Sequence, residues 1–514
     1  MAVKTGEGRK ITWWTRIGFG CGGFIGGGGL TFAHSWLLLY YTAFCGLDAW
    51  KGALIFSLAT WCDVFESSII GFISDNFYNT HLGRMFGRRR FFILICIPFF
   101  MLYPLCWVRG MSWGYYMVTY LLYDFVDNTF SVTHNTLKTE MSTNYTQRQL
   151  LSGSASVASK IVGFITAAFP LIFFSLVGKN NPDSYVAMVV TYSIIMVIAG
   201  IIVYMSTWEY SPDQVHIEKT GSFWKSVWKM IKDTLSTFRS RTFRWHIAMY
   251  VAGSGGLWLM SSISTFNFIY VMKKSTVFAS GLGTIMKPFA LISAIFAVWI
   301  VTKVGDTARP YIWSMFIVIS SMLLYCAIWF FHWQELAWLI GVAQMLLSFG
   351  EGIAYYVPQA NYPYMPDVDE LITNRRREGI ISGAQTMSGR LVRGLVTLVS
   401  GSVISATGLV KGRMSQPYSV QLGLVLMMLI GVCGMELIAI FCSRHMKADK
   451  TNLAIIDKEV KRVHAGGKME DVDPHTKEVC ELLTGFDYKN LFGHNNVGYK
   501  DHEVEPAKAH INNH

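Results

Sequence analysis

Long apolar stretches separated by short polar segments dominate the chain. A helix needs ~20 mostly apolar residues to cross the hydrocarbon core of a bilayer, and the stretches repeatedly reach that length. The pattern predicts transmembrane helices near residues 17–46, 51–74, 91–108, 114–138, 152–177, 184–207, 245–272, 279–303, 309–331, 335–363, 378–406 and 416–442. We therefore predict an all-α membrane protein with twelve transmembrane helices.

The longest internal polar segment, 208–244, divides these predicted helices into two groups of six. Its sequence SFWKSVWKMIKDTLSTFRSRTFR places apolar residues at helical spacing with basic residues between them. Such a segment is typical of an amphipathic helix on the membrane surface, and a calmodulin-type target is the alternative. We predict four parts: an N-terminal six-helix half (1–207), a cytoplasmic linker with an amphipathic helix (208–244), a C-terminal six-helix half (245–442) and a cytoplasmic tail (443–514).

Composition and charge support a membrane location. Only 15% of the 514 residues are charged, whereas a soluble protein carries roughly 25%. The net charge of +11 comes mainly from Lys and Arg in short loops, where they set topology, so nucleic acid is not an expected partner. Basic loops alternate with loops poor in Lys and Arg, which predicts a multi-pass protein of the cell inner (plasma) membrane with both termini cytoplasmic. The nine cysteines show no CxxC spacing and most lie within apolar segments, so we expect buried small side chains, neither disulfides nor metal ligands. We expect no cofactor.

Carboxylates within predicted membrane spans are the first candidates for function. Asp63 and Glu66 lie in the second span, and Asp124 and Asp127 lie in the fourth. The i, i+3 spacing places each pair on one face of its helix. Charged side chains at membrane depth are costly, so they usually face a cavity or mark an ion or proton pathway. We expect these four residues to couple transport to a cation, H⁺ or Na⁺, and the alternative is structural pairing with Lys or Arg.

Three basic residues lie at membrane depth: Arg390 and Arg393 in the eleventh span and Lys160 in the fifth. An intramembrane arginine needs an acidic partner or an anionic ligand, and its planar fork suits carboxylates. We predict that all three contribute to substrate binding. A structural salt bridge, for example between Arg390 and Asp63 or Asp127, is the alternative.

Further candidates for the substrate site come from the first and tenth spans. Gly26–Gly29 precede His34, which is either a binding residue or a hydrogen-bonded core histidine. The glycines favour close helix packing, and a flexible bend or room for a bulky ligand are the alternatives. In the tenth span, Tyr356 and Gln359 belong to a group of aromatic and amide side chains suited to a saccharide. Ordinary packing is the alternative for these aromatics.

A conformational latch is predicted between the second and third spans. Asp75 ends the segment Gly71-Phe72-Ile73-Ser74-Asp75, and Arg84 and Arg88 follow in the segments Gly83-Arg84 and Gly87-Arg88-Arg89-Arg90. Glycines allow a tight turn, and an acid beside an arginine cluster allows a charge contact between neighbouring helices. The alternative is that the arginines only set the membrane topology. This alternative explains the arginines, but it does not explain Asp75 and the glycines.

Together these segments resemble the glycoside–pentoside–hexuronide:cation symporters, the melibiose-permease-like family of the major facilitator superfamily. The resemblance extends to about residue 442 and is most specific at Asp63–Gly71, GRRRFF (87–92), Glu140-Met141-Ser142 with Tyr145 and Arg148, and PDVDELITNRRREGIISGAQTM (366–387). It implies the major facilitator fold, with two six-helix halves and the substrate near the midplane. It also implies cation coupling at Asp63 and a link between the cation and sugar sites at Arg390.

Departures from the family pattern narrow the expected activity. Ser67 stands where many sodium-coupled members have a second aspartate, which favours a proton. Gly26 and Gly27 replace a Lys–Asp pair that some members use on galactosides, so the neutral disaccharide site is not copied. The segments GGFIGGGGLTFAHSWLLLYYTAFCGL and GRRRFFILICIPFFMLYPLCW look closest to the oligogalacturonide branch.

The resemblance leads us to expect a symporter, which is not an enzyme, that imports a uronide or short oligogalacturonide by alternating access. It would act in the lipid bilayer, and we expect a monomer. The alternatives are a symporter for neutral glycosides or pentosides, a transporter-like membrane sensor that signals through its tail, and a lipid symporter.

Overall fold

A computed structural model describes residues 11–75, 77–141, 145–178, 181–209, 223–304, 306–374, 377–410, 413 and 415–495. Their α-helices are α1 (Trp13–Gly20), α2 (Leu30–Phe32), α3 (Leu38–Ala43), α4 (Ala49–Asp75), α5 (His81–Phe86), α6 (Arg90–Phe99), α7 (Trp113–Glu140), α8 (Tyr145–Leu176), α9 (Pro182–Ser206), α10 (Phe223–Thr237), α11 (Arg241–Phe266), α12 (Thr276–Val304), α13 (Ala308–Phe330), α14 (Ala337–Asn361), α15 (Met365–Thr373), α16 (Glu378–Ala406), α17 (Tyr418–Leu426), α18 (Cys433–His445), α19 (Lys450–His464) and α20 (Pro474–Thr484). Wider π-helical turns occur at Ile25–Gly29, Ala33–Leu37, Asn267–Val271 and Met427–Val432. Short 3₁₀ helices occur at Phe77–Asn79, Phe100–Trp107, Tyr362–Tyr364, Met469–Asp471 and Tyr488–Asn490.

The described chain is helical throughout its regular structure, which confirms the predicted all-α class. By length and composition, seven of its helical segments are able to cross a membrane: Ala49–Gly71, Arg90–Trp107, Pro182–Ser206, Arg241–Val271, Ala308–Phe330, Ala337–Thr373 and Tyr418–His445. The helices α7 and α16 are not among the seven, and they carry the candidate residues Asp124, Asp127, Arg390 and Arg393. The count of twelve therefore stays a prediction.

Two compact units make up the chain. The first comprises 1–219, 259–285 and 393–426, and the second comprises 220–258, 286–392 and 427–514. Because this division follows spatial contacts, it cuts through α11, α12 and α16. The four parts predicted from the sequence follow chain order instead, and they stay a prediction.

Within the first unit, the π-helical turn Ile25–Gly29 packs closely against neighbouring helices because Gly28 and Gly29 have no side chains. A Cβ added to Gly28 would lie 1.4 Å from the hydroxyl oxygen of Tyr192, and one added to Gly29 would lie 1.9 Å from that of Tyr123. Tyrosine hydroxyls also donate to carbonyls of this widened helix: Tyr192 to Phe24 at 2.7 Å and Tyr103 to Gly29 at 2.8 Å. The expected packing role of the glycines is therefore realised at these positions.

In the second unit, the helices of the predicted tail pack against α15. α19 and α20 both contact α15, and the hydroxyl of Thr242 donates to the Leu483 carbonyl at 2.7 Å. The backbone N–H groups of Phe492 and Gly493 donate to the carbonyls of Leu371 and Ile372 at 2.6 and 3.1 Å. The segment from α19 to Gly493 is thus a folded part of the second unit.

Candidate functional site

The candidate carboxyls of α4 and α7 meet inside the first unit. α4 packs along α7, and the carboxyl group of Asp124 lies close enough to that of Asp63 for the two to interact directly. Glu66, Asp124 and Asp127 are buried, with exposed fractions of 7%, 6% and 2%, and Asp63 is half-buried. Two ionised carboxylates in contact repel each other in a poorly solvated site, so this contact favours a proton on one of them. We call these four residues the carboxyl cluster.

Polar side chains one helical turn beyond Asp63 and Asp124 support the same helix pair. The amide of Asn128 and the hydroxyl of Ser67 lie 3.4 Å apart from nitrogen to oxygen. Ser67 also donates to the carbonyl of Asp63 at 3.1 Å. The serine at position 67 therefore bonds to α4 itself and to α7. An aspartate at this position would add a fifth carboxyl group to the carboxyl cluster.

Arg393 lies beside α4 because glycines let α16 approach that helix closely. A Cβ at Gly394 would lie 2.3 Å from Nε1 of Trp61, and a Cβ at Gly401 would lie 2.2 Å from Cβ of Ala53. The hydroxyl of Ser57 donates to the Gly394 carbonyl at 2.8 Å. The sequence positions 394 and 401 are seven residues apart, so both glycines lie on one face of α16.

Arg393 and His34 are brought together in the first unit. The guanidinium of Arg393 is near enough to act electrostatically on His34 and on Tyr120. The His34 ring lies 6.1 Å from the ring of Phe56 and belongs to the π-helical turn Ala33–Leu37. The first unit therefore contains the Arg393 guanidinium and the His34 imidazole in addition to the carboxyl cluster.

The remaining substrate candidates are placed as follows. Arg390, Tyr356 and Gln359 belong to the second unit, where Arg390 and Tyr356 are half-buried and Gln359 is exposed. The side chain of Lys160 lies outside the described part of the chain. The proposed roles of these four residues stay predictions.

The arginine-rich turn after α4 is organised around Glu209, a residue that the sequence analysis did not single out. Glu209 is fully buried and accepts hydrogen bonds from the backbone N–H groups of Arg89 and Arg90, at 3.0 and 3.4 Å, and from the Tyr78 hydroxyl at 3.0 Å. Gly87 has a φ of +97°, and a Cβ there would lie 1.8 Å from the Glu209 carboxylate. The turn therefore wraps around one acidic side chain that follows α9.

The predicted latch residues lie around this turn. Arg84 is exposed and donates through Nε to the Tyr78 carbonyl at 3.2 Å, and the Arg88 guanidinium lies 5.8 Å from the Tyr78 ring centre. The side chain of Asp75 lies outside the described part of the chain. The signal for Glu209 was an acid at the start of the polar segment that follows the sixth apolar stretch.

A second residue that sequence reasoning missed is Glu436 in α18. Its side chain is fully buried, and both carboxyl oxygens lack a hydrogen-bond partner among the described residues. The signal was an acid within the last apolar stretch, where the sequence alone does not distinguish a side chain that reaches water from one that faces other helices.

Comparisons with known proteins agree with this architecture. An isoprimeverose transporter of Lactiplantibacillus pentosus is 21% identical over 412 residues, which cover 78% of this chain and 81% of that protein. The crystal structure of a D-xylose-proton symporter has a TM-score of 0.61 at 11% identity and covers 86% of this chain and 98% of the symporter. The nucleoside transporter NupG has a TM-score of 0.58 at 12% identity and covers 85% of this chain and 100% of the transporter. These two structures share the fold of the chain.

A family model described as MFS/sugar transport protein matches residues 18–444. The matched region includes the carboxyl cluster, Arg393, His34 and the turn around Glu209. The chain therefore belongs to the MFS/sugar transport protein family, whose members are membrane transporters.

Proposed function

We propose that the protein is a proton-coupled symporter that imports a uronide or short oligogalacturonide by alternating access. It would lie in the cell inner membrane, with twelve transmembrane helices in two six-helix halves and both termini in the cytoplasm. The observation that carries the proposal is the contact between the carboxyl groups of Asp63 and Asp124, which brings α4 and α7 together.

A shared proton explains how this pair would couple transport to an ion gradient. Loss of the proton leaves two negative charges in contact in a poorly solvated site, and their repulsion disfavours the contact between Asp63 and Asp124. The protonated pair permits α4 and α7 to stay packed, whereas the deprotonated pair favours a conformation with access to water. Glu66 and Asp127 are buried in the same cluster and raise the cost of a further negative charge.

The acidic substrate is supported by the basic residues at membrane depth. Arg393, which acts electrostatically on His34, is proposed to bind a sugar carboxylate, and Arg390 and Lys160 are proposed to do the same. An arginine fork binds a carboxylate through two parallel hydrogen bonds, and a neutral sugar provides no such partner. Tyr356 and Gln359 are proposed to contact the sugar ring and its hydroxyls.

The decisive experiment measures external alkalinisation when substrate is added to vesicles that contain the protein. A panel of galacturonate, oligogalacturonides and neutral sugars is tested with and without sodium. Substrate-dependent alkalinisation that does not require sodium supports proton symport, and uptake without proton movement contradicts it.

Variants of the carboxyl pair test the mechanism in the same vesicles. Asp63→Asn should abolish coupled uptake because an amide releases no proton. Asp183→Asn is the matched control, since Asp183 lies at the surface, with its side chain 62% exposed. A rate of proton-coupled uptake in Asp63→Asn equal to that of wild type would contradict coupling at the Asp63–Asp124 pair.

A neutral glycoside is the second candidate cargo, and the 21% identical isoprimeverose transporter favours it. Competition separates the two candidates. Inhibition of labelled galacturonide uptake only by other uronides supports the acidic cargo. Equal inhibition by neutral disaccharides supports the glycoside.

A further inference from the structure

Glu436 occupies an unusual position in the second unit. It lies in the first turn of α18, directly after the π-helical turn Met427–Val432. The side chain is fully buried, and neither Oε1 nor Oε2 has a hydrogen-bond partner among the described residues. Buried carboxyls normally receive hydrogen bonds, so this residue requires an explanation.

Among the residues that the structure describes, the titratable neighbours of Glu436 supply no positive charge. On α11, Gly256 faces the carboxyl, since a Cβ there would lie 2.5 Å from Oε1 and 3.4 Å from the Val432 carbonyl oxygen. On α13, the neighbouring titratable group is Tyr311, whose hydroxyl already donates to the Met249 carbonyl at 3.0 Å. On α18, the neighbouring group is the thiol of Cys433. Both of these groups are neutral at physiological pH.

A protonated carboxyl fits this environment, whereas an ionised one does not. An ionised Glu436 would leave a full charge and all its acceptor positions without compensation in a site closed to water. A neutral carboxyl instead carries no charge and has a single O–H group to place, against Gly256, which the Val432 carbonyl oxygen also faces. The burial and the neighbours therefore select the protonated form.

Two local features provide a way for this proton to leave. The π-helical turn before α18 is a type of irregularity that is frequent at functional sites. Gly253, Gly255 and Gly256 give α11 a surface of backbone against Tyr311, Met435 and Glu436. A small shift of α11 along this glycine surface would uncover the carboxyl without displacing a side chain of α11.

We propose that Glu436 is a second proton-binding site of the transport cycle, occupied by a proton in the conformation described and separate from the Asp63–Asp124 pair. The proposal rests on the proposed proton coupling and assigns a carboxyl of the second unit to it. The competing explanation is a permanently protonated side chain with a purely structural role.

Infrared difference spectroscopy of the purified, full-length protein tests the protonation of Glu436 without any transport assay. The infrared band of one protonated carboxyl should be present in wild type at neutral pH and lost in Glu436→Gln, while the band of the Asp63–Asp124 pair remains. The control is Glu335→Gln, because Glu335 is exposed. A spectrum of Glu436→Gln identical to that of wild type would mean that Glu436 is ionised, and the proposal would be overturned.

Transport by reconstituted Glu436→Gln tests the release of the proton. Glutamine resembles the protonated carboxyl in shape but does not titrate. We expect the variant to exchange labelled substrate across the membrane, which shows that it is folded, while taking up fewer protons per substrate and responding less to pH. Glu436→Asp should restore the pH response. Wild-type proton uptake and pH profile in Glu436→Gln would establish the structural role and overturn the proposal.

Failure of the proposed function gives a different result from failure of this inference. If proton symport itself is wrong, wild type will show no substrate-dependent proton uptake. If only the role of Glu436 is wrong, wild type and Glu436→Gln will show equal uptake, and Asp63→Asn will show none.

Discussion

Arg377 and Asp369 form a buried two-pronged ion pair in the second unit. Nη2 of Arg377 lies 2.6 Å from Oδ1 of Asp369, and Nε lies 2.7 Å from Oδ2. Nη1 donates to the Ser236 hydroxyl at 2.7 Å. Asp369 belongs to α15, Arg377 directly precedes α16, and Ser236 belongs to α10. One guanidinium therefore ties α15 and the start of α16 to α10, whose Ser236 lies 141 residues earlier in the chain.

Replacement of Arg377 should destabilise the protein strongly. Arg377→Ala leaves a buried carboxylate without its partner, which costs ~3–5 kcal/mol. Arg377→Lys should also destabilise because lysine cannot reproduce the two parallel bonds. Thermal unfolding in detergent measures the effect. The control is Arg309→Ala, whose exposed pair with Asp306 at 3.7 Å should contribute at most ~1 kcal/mol. Equal midpoints for the two alanine variants would contradict the expectation.

Acidification should loosen the tail through Glu459. The hydrogen bonds from Arg462 lower the pKa of this carboxyl, burial opposes that effect, and the hydrogen bond from Tyr488 adds to it. Its contribution to stability is therefore fully present above the unfolded pKa of about 4.3. That contribution is lost as the pH falls through the lower pKa of the folded state.

Limited digestion with pepsin, which is active in acid, measures this loosening. Cleavage within 450–490 should increase steeply below about pH 4 in wild type. Glu459→Gln should flatten that increase because its side chain does not titrate in this range. Glu470→Gln, at an exposed position, is the control and should behave as wild type. A pH profile of Glu459→Gln that matches wild type would show that another group controls the tail.

Two adjacent glycines of the first unit should respond oppositely to alanine. A Cβ at Gly28 would lie 1.4 Å from the Tyr192 hydroxyl, whereas a Cβ at Gly27 would meet nothing within 4 Å. Overpacking by Gly28→Ala should cost at least ~1–3 kcal/mol. Gly27→Ala should be neutral or stabilise by up to ~1 kcal/mol, because alanine favours the helix. The unfolding midpoints of the two variants are compared with that of wild type. A midpoint of Gly27→Ala below that of wild type would contradict the presence of free space at Gly27.

Removal of Glu209 should open the turn between α4 and α6. Glu209→Ala leaves the buried N–H groups of Arg89 and Arg90 without their acceptor, at ~1–3 kcal/mol each. A cysteine in place of exposed Asn79 should then react faster with a maleimide, and the unfolding temperature should fall. Asp183→Ala serves as the surface control. An unchanged labelling rate in Glu209→Ala would indicate that the turn holds its shape without this carboxylate.

The sequence alone determined the helices and the helix faces of the first candidates. Apolar length predicts helices, and their observed bounds follow the predicted spans closely, for example Arg90–Trp107 for 91–108. The i, i+3 spacing also placed Asp63 with Glu66 and Asp124 with Asp127. These properties depend on neighbours within one helix, so they can be read along the chain.

Only the tertiary structure decided which of these faces meet. The contact between the carboxyl groups of Asp63 and Asp124 depends on how α4 packs on α7, and the burial of Glu209 and Glu436 depends on the turn and helices around them. An acid near the end of an apolar stretch has the same local sequence whether it reaches water or faces a glycine of another helix. The difference comes from contacts between residues that are far apart in the sequence, such as Gly256 and Glu436, and a local sequence pattern does not predict such contacts.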